Sequence, residues 1–139
     1  MRGCQVGLIS ETWEKEECTV TAAKMEEIFM LDNIECFSSP RPRGRVGGGV
    51  AVLVDRGKYI GTKIEIANPH ALEVVWVELK PRSARWKDFR KTIVCAFYIP
   101  PNSKKRSKLT DHLVSTTNHL LSIYDDAVSI LIMLNTRYV

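Results

Sequence analysis

Four short apolar runs constrain this chain more than any other feature. They are VAVLV at 50 to 54, LEVVWVEL at 72 to 79, TIVCAFY at 92 to 98 and ILIML at 130 to 134. Each is too short for an ordinary helix and rich in β-branched residues, the composition of a strand. Several lack the polar–apolar alternation of a half-exposed strand, so they predict a sheet packed on both faces. No run is long enough to span a bilayer. At 139 residues, 45% apolar and 26% charged, the chain reads as one globular domain over 1–139. The start, MRGCQVGLIS, has neither an apolar signal core nor a cleavage site. The expected setting is intracellular, and nuclear if the partner is DNA.

Around these runs the pattern is of strands with two helices. Gln5 to Ile9 predicts a first strand. Thr19 to Leu31 predicts a helix with Ala22, Met25 and Phe29 on one face and Asn33 as a stop signal. Ile34 to Phe37 predicts a strand, and the Pro- and Gly-rich stretch 38 to 49 a loop. Turns at Asp55-Arg56-Gly57 and Asn68-Pro69-His70 bracket a strand from Tyr59 to Ile66. From residue 50 to 98 this reads as an antiparallel meander. After Pro100-Pro101, Ser107 is an expected N-cap for a helix to Tyr124, with Leu109, Leu113, Thr117, Leu120 and Tyr124 inward. A helix between the strands at 92 to 98 and 129 to 134 allows a right-handed crossover. The fold class is α+β.

Cys4, Cys18, Cys36 and Cys95 form no CxxC pair, which argues against zinc. Cys36 and Cys95 are expected as buried free thiols. His70, His112 and His119 are scattered and suggest no dyad. Trp13, Trp76 and Trp86 are expected as core or loop anchors. The net charge of +4 is mild, but its placement is uneven. Lys80, Arg82, Arg85, Lys87, Arg90 and Lys91 crowd one stretch; Lys104, Lys105, Arg106 and Lys108 crowd another. Solvated loops are the commoner meaning of such runs, and phosphate contact the functional one.

Three places carry candidate chemistry. Glu11, in ISETW, follows a strand and could hold a hard cation, since magnesium takes one or two carboxylates. Tyr98 stands before a rigid Pro-Pro turn, where its phenol could meet a phosphate oxygen. Asn135 follows the last strand and could orient a water or a phosphate. Each has an ordinary alternative: a surface acid, a strand-edge tyrosine, a turn residue. The run GRVGGGVAV contains neither GxxxxGK[ST] nor GxGxxG and precedes a strand rather than a helix, so it is no nucleotide loop.

Taken in order, these pieces resemble the endonuclease/exonuclease/phosphatase family, closest to the apurinic-type endonuclease domains of non-LTR retrotransposons. LISETW is similar to the family's metal-binding Glu motif, RVGGGVAVLV to its Gly-rich strand, and TIVCAFYIPPNS to the strand leading to its catalytic Tyr. The helix and ILIMLNT resemble the approach to its Gly-Asp-x-Asn motif. The likeness covers about residues 6 to 136. It implies a four-layer α/β/β/α sandwich and hydrolysis of phosphodiesters with Mg2+ or Mn2+. It makes Glu11 a metal ligand, with Tyr98 and Asn135 the catalytic residues. Arg82, Arg85, Lys87, Lys104, Lys105 and Arg106 become nucleic-acid contacts, with DNA ahead of RNA as the partner and no membrane.

The chain departs from the family pattern in ways that bear on activity. The Gly-Asp expected between Met133 and Leu134 is absent, and no Asp lies between Ser129 and Val139. The family's first strand and its C-terminal Asp-His pair are also missing, so the chain reads as a truncated copy with an incomplete sandwich. Groups acting as a unit lose most of their effect when one goes. Weak or absent cleavage is therefore expected, and self-association through exposed sheet surface. The alternative is a non-catalytic fragment that holds nucleic acid through basic loops 80–91 and 104–108.

Overall fold

The structure is a computed structural model, which describes residues 6–10, 33–39, 49–83, 91–99, 103–124 and 128–135. Seven strands and one helix occur among the described residues. In chain order they are β1 (Val6–Ser10), β2 (Ile34–Ser39), β3 (Val50–Asp55), β4 (Tyr59–Lys63), β5 (Val74–Pro81), β6 (Lys91–Tyr98), α1 (Arg106–Ile123) and β7 (Val128–Asn135). The class is α+β, as the strand-rich pattern predicts. The helix expected at 19 to 31 lies outside the described residues. Its proposed stop, Asn33, has φ 65°, a left-handed conformation that Asn tolerates better than most residues. Among the described residues, no helix is long and apolar enough to cross a membrane.

The strands divide into two sheets, ordered β1-β3-β2 and β4-β5-β6-β7. This corrects the meander expected from 50 to 98: β3 pairs with β1 and β2, not with β4. The chain passes from one sheet to the other at the Arg56–Lys58 turn, where Arg56 N donates to Asn33 O and Lys58 N to Asp55 O. The composition of β3 explains its central place. Val50, Val52 and Val54 are buried on one face and Ala51 and Leu53 on the other, so a strand apolar on both sides ends up between two others. Edge strand β4, YIGTK, alternates in exposure, with Ile60 44% exposed. It stops at Lys63 rather than at the expected Ile66, although Ile64 N still donates to Trp76 O.

Alternation along β5 and β6 builds two cores. Val75, Val77, Leu79, Val94 and Ala96 face the first sheet and pack with Val50, Val52 and Val54. Val74, Trp76, Ile93, Cys95 and Phe97 face α1 and pack with Leu109 and Leu120. Each such aliphatic side chain removed from water contributes about 1.5–3 kcal/mol before entropy is counted. Cys95 is a buried free thiol, and burial raises its pKa far above the ordinary thiol value. Cys36 is only half-buried. Gly49 leads into β3 with φ 86°, a conformation that glycine enters without strain.

Helix α1 returns the chain so that β7 lies parallel to β6, in register from Lys91–Val128 to Tyr98–Asn135. The helix begins at Arg106, and the expected Ser107 cap is not made: no side chain caps this end. Ser103 Oγ instead accepts from Lys105 N. Eighteen helical residues rise about 27 Å, and the eight of β6 about 26 Å, so α1 covers the strand from end to end. Thr116 is buried on the inward face, one position from the expected Thr117. Two polar contacts join this face to β5: Trp76 Nε1 donates to His112 Nε2 at 3.2 Å, and Tyr124 Oη donates to Glu78 Oε2. Lys91 Nζ lies 3.6 Å from Glu78 Oε1 and 5.2 Å from the centre of the Tyr124 ring.

Candidate functional site

Parallel pairing of β6 with β7 brings two of the sequence candidates together. Tyr98 and Asn135 are register partners at the C-terminal ends of the two strands, although 36 residues separate them in the chain. Tyr98 is half-buried and packs on the rim of the core between the sheets. That placement follows from alternation, since Val94 and Ala96 share its side of β6. Strand β1, whose last residue Ser10 precedes Glu11, packs across the interface against β6 and β7. Glu11 itself lies outside the described residues, as do Arg85 and Lys87.

A residue that the sequence reading passed over stands beside Tyr98. Tyr98 N donates to Glu73 O at 3.0 Å, one step beyond the Val74–Phe97 pair. Glu73 is 7% exposed. It lies just ahead of β5, at the centre of a tight bend in which Val74 N donates to Leu72 O at 3.1 Å. A buried carboxylate inside LEVVWVEL was visible as a charge in an apolar run. Only the antiparallel register with β6 identifies its neighbour.

The loop ahead of Glu73 is tied down at both ends. Asn68 Nδ2 donates to Leu72 O, and Asn68 Oδ1 accepts from Leu72 N, at 2.8 and 2.9 Å. Lys105 Nζ donates to His70 O at 2.9 Å, which fixes the start of α1 against the same loop. Lys104, Lys105 and Arg106 therefore belong to the Tyr98 end of the molecule. Arg82 does not. It follows β5 at the opposite end of the sheet, about 26 Å away along the eight residues of β6. Arg82 and the group Lys104, Lys105 and Arg106 thus flank opposite ends of one sheet.

Tyr98 and Glu73 both carry oxygen donors, a phenol and a carboxylate. That chemistry suits Mg2+ or Mn2+ better than a soft-ligand metal. Among the described residues, no three His, Cys, Asp or Glu side chains converge. A separate cleft of about 680 Å³ lies between the 65–70 segment and α1, lined in part by Glu65, His70, Lys108, Asp111, His112 and His119. Its helical histidines are seven positions apart, about 10.5 Å along the axis, too far to share one ion. Burial lowers the pKa of His112, which favours the neutral ring that accepts from Trp76. Compared with family models, curated proteins and solved structures, the chain has no match in any of the three.

Proposed function

We propose that this chain is a domain of the endonuclease/exonuclease/phosphatase type, of retrotransposon endonuclease ancestry, that engages phosphodiesters at its Tyr98–Asn135 edge. The observation that carries the reading is the register pairing of Tyr98 with Asn135 at the ends of two parallel strands. The motif resemblance nominated both residues separately, and Lys104, Lys105 and Arg106 belong to the same end. Two packed sheets with a helix on one outer face are compatible with a four-layer α/β/β/α sandwich. In this reading the Tyr98 phenol donates to a phosphate oxygen, and the Asn135 amide orients the phosphate or an attacking water. Glu11 would hold Mg2+ or Mn2+, which when bound neutralises charge developing on the phosphate.

Cleavage is weak or absent in this reading, because an attacking water needs a base. No Asp lies between Ser129 and Val139, where the motif would supply it. That absence also favours a second reading, a nucleic-acid-binding module without turnover. Purified protein incubated with supercoiled plasmid and magnesium tests both. The expected result is salt-dependent binding with little nicking, and weaker binding in Tyr98→Phe. Efficient nicking abolished by Glu11→Ala would establish a working nuclease and overturn the claim of lost turnover. Failure to bind any duplex at low salt would overturn the phosphodiester reading itself.

A further inference from the structure

The basic stretch after β5 is not an isolated loop. The turn that carries the chain between the sheets is bonded to it, and that turn is basic too. Arg82 N donates to Lys58 O at 2.9 Å, and Arg82 Nε donates to Arg56 O at 2.6 Å. Pairing of Tyr59 with Pro81 and of Ile60 with Lys80 continues the register into β4 and β5. Four cationic residues, Arg56, Lys58, Lys80 and Arg82, thereby meet at one end of the second sheet, and all four are exposed.

Two features separate this end from an ordinary solvated face. First, it concentrates the charge. The acid within the turn is Asp55, whose Oδ1 accepts from Gly57 N. With Asp55 included, the cluster contributes +3 to a chain whose total is +4. Among the described residues, the next cation along the chain, Lys91, is set against Glu78. Second, the cluster is preorganised. An arginine spends its guanidinium on a backbone carbonyl of the opposing turn, which holds like charges close together. Like charges held together repel, and a polyanion relieves that repulsion.

We infer that the Arg56–Lys58 turn and the Lys80–Arg82 strand end form a second phosphate-contacting surface for a duplex, remote from Tyr98. The inference rests on the phosphodiester reading above and deepens it. The span from Tyr98 is about 26 Å, set by the eight residues of β6. At about 3.4 Å per base step that corresponds to roughly eight base pairs. Binding therefore strengthens once a duplex is long enough to reach both ends.

The test is fluorescence anisotropy across a salt series with duplexes of about 6 and about 24 base pairs, the span lying between them. Wild type is compared with Arg56→Ser/Lys58→Ser, and with Lys80→Gln, which leaves the turn untouched. Thermal melts confirm that the variants fold. On the long duplex the double variant is expected to bind about tenfold more weakly, with a log–log salt slope smaller by about 2, one per lost cation. Lys80→Gln is expected to lower the slope by about 1. The length advantage of wild type is expected to shrink in both. Unchanged slopes in folded variants that still bind DNA would overturn this inference and leave the Tyr98 edge standing. A wild type that binds anionic vesicles but no duplex would overturn both readings.

Discussion

The two faces of the second sheet do the same work by different means. The face toward the first sheet is aliphatic: Val75, Val77, Leu79, Val94 and Ala96 meet Val50, Val52 and Val54. The face toward α1 is mixed. Its core holds Trp76, Ile93, Cys95 and Phe97, but Trp76 also bonds His112 and Glu78 also bonds Tyr124. An aliphatic interface is strong and non-directional, since burial free energy scales with area. Hydrogen bonds add less but select one geometry. The contrast fits the tasks. Two sheets of fixed twist need only close packing, whereas a helix could slide along a sheet unless something sets its position. Trp76 and Glu78, two residues apart on β5, bond the helix at His112 and at Tyr124 just past its C-terminal end.

The comparison can be broken most forcefully on the aliphatic side. Leu79 is 2% exposed, and Leu79→Ala is expected to cost about 2–5 kcal/mol in denaturant unfolding. A loss well under 1 kcal/mol would mean the sheets are not packed as described. Next comes Gly61 of β4. A Cβ there would lie 2.6 and 2.8 Å from Phe37 Cε2 and Cζ, across the sheet interface. Gly61→Ala is expected to destabilise by about 1–3 kcal/mol through overpacking. Adding Phe37→Leu should recover part of the loss; if Gly61→Ala alone is neutral, the close approach of β4 to β2 is wrong.

The smallest effect belongs to the helix side and depends on pH. Burial depresses the pKa of His112 below its ordinary value near 6.5. The neutral form is then favoured in the folded state, and the unfolded chain binds more protons at mildly acidic pH. The contribution of His112 is present above pH of about 6.5 and is lost as pH falls through its lowered value. Protonation also places a hydrogen on the nitrogen that accepts from Trp76. Glu65, Lys108, Asp111, His70 and His119 line the same cleft. His112→Gln keeps an acceptor and removes the titration. Its melting temperature should fall less than that of wild type between neutral and mildly acidic buffer. Equal falls would show that His112 carries none of the dependence.

Much of the strand content was legible because strand formation in this chain is a local matter of apolar runs. The runs at 50 to 54, 72 to 79, 92 to 98 and 130 to 134 all lie in or across strands, with ends displaced by a residue or two. Their partition into two sheets was not legible. β3 and β4 are joined by a three-residue turn, the usual mark of a hairpin, yet each pairs elsewhere. The helix start was also misplaced: Ser107 is a good cap by type, but the helix begins one residue before it, at Arg106, with no side-chain cap. The motif resemblance nominated Tyr98 and Asn135 separately, and their register pairing was not legible. Glu73 went unnoticed, since its neighbour Tyr98 lies 25 residues away in the chain.

What the sequence by itself determined is the inventory: short strands apolar on both faces, a helix between the last two, clustered cations and a last strand with no Asp in or after it. These depend on composition and short-range periodicity, which act within a few residues. Only the tertiary structure decided who meets whom. Register placed Asn135 and Glu73 beside Tyr98 and set Arg82 at the opposite end of the same sheet, bonded to a turn that no loop-by-loop reading had joined to it. Pairing between strands is chosen by burial across the whole chain, and burial is not a local quantity.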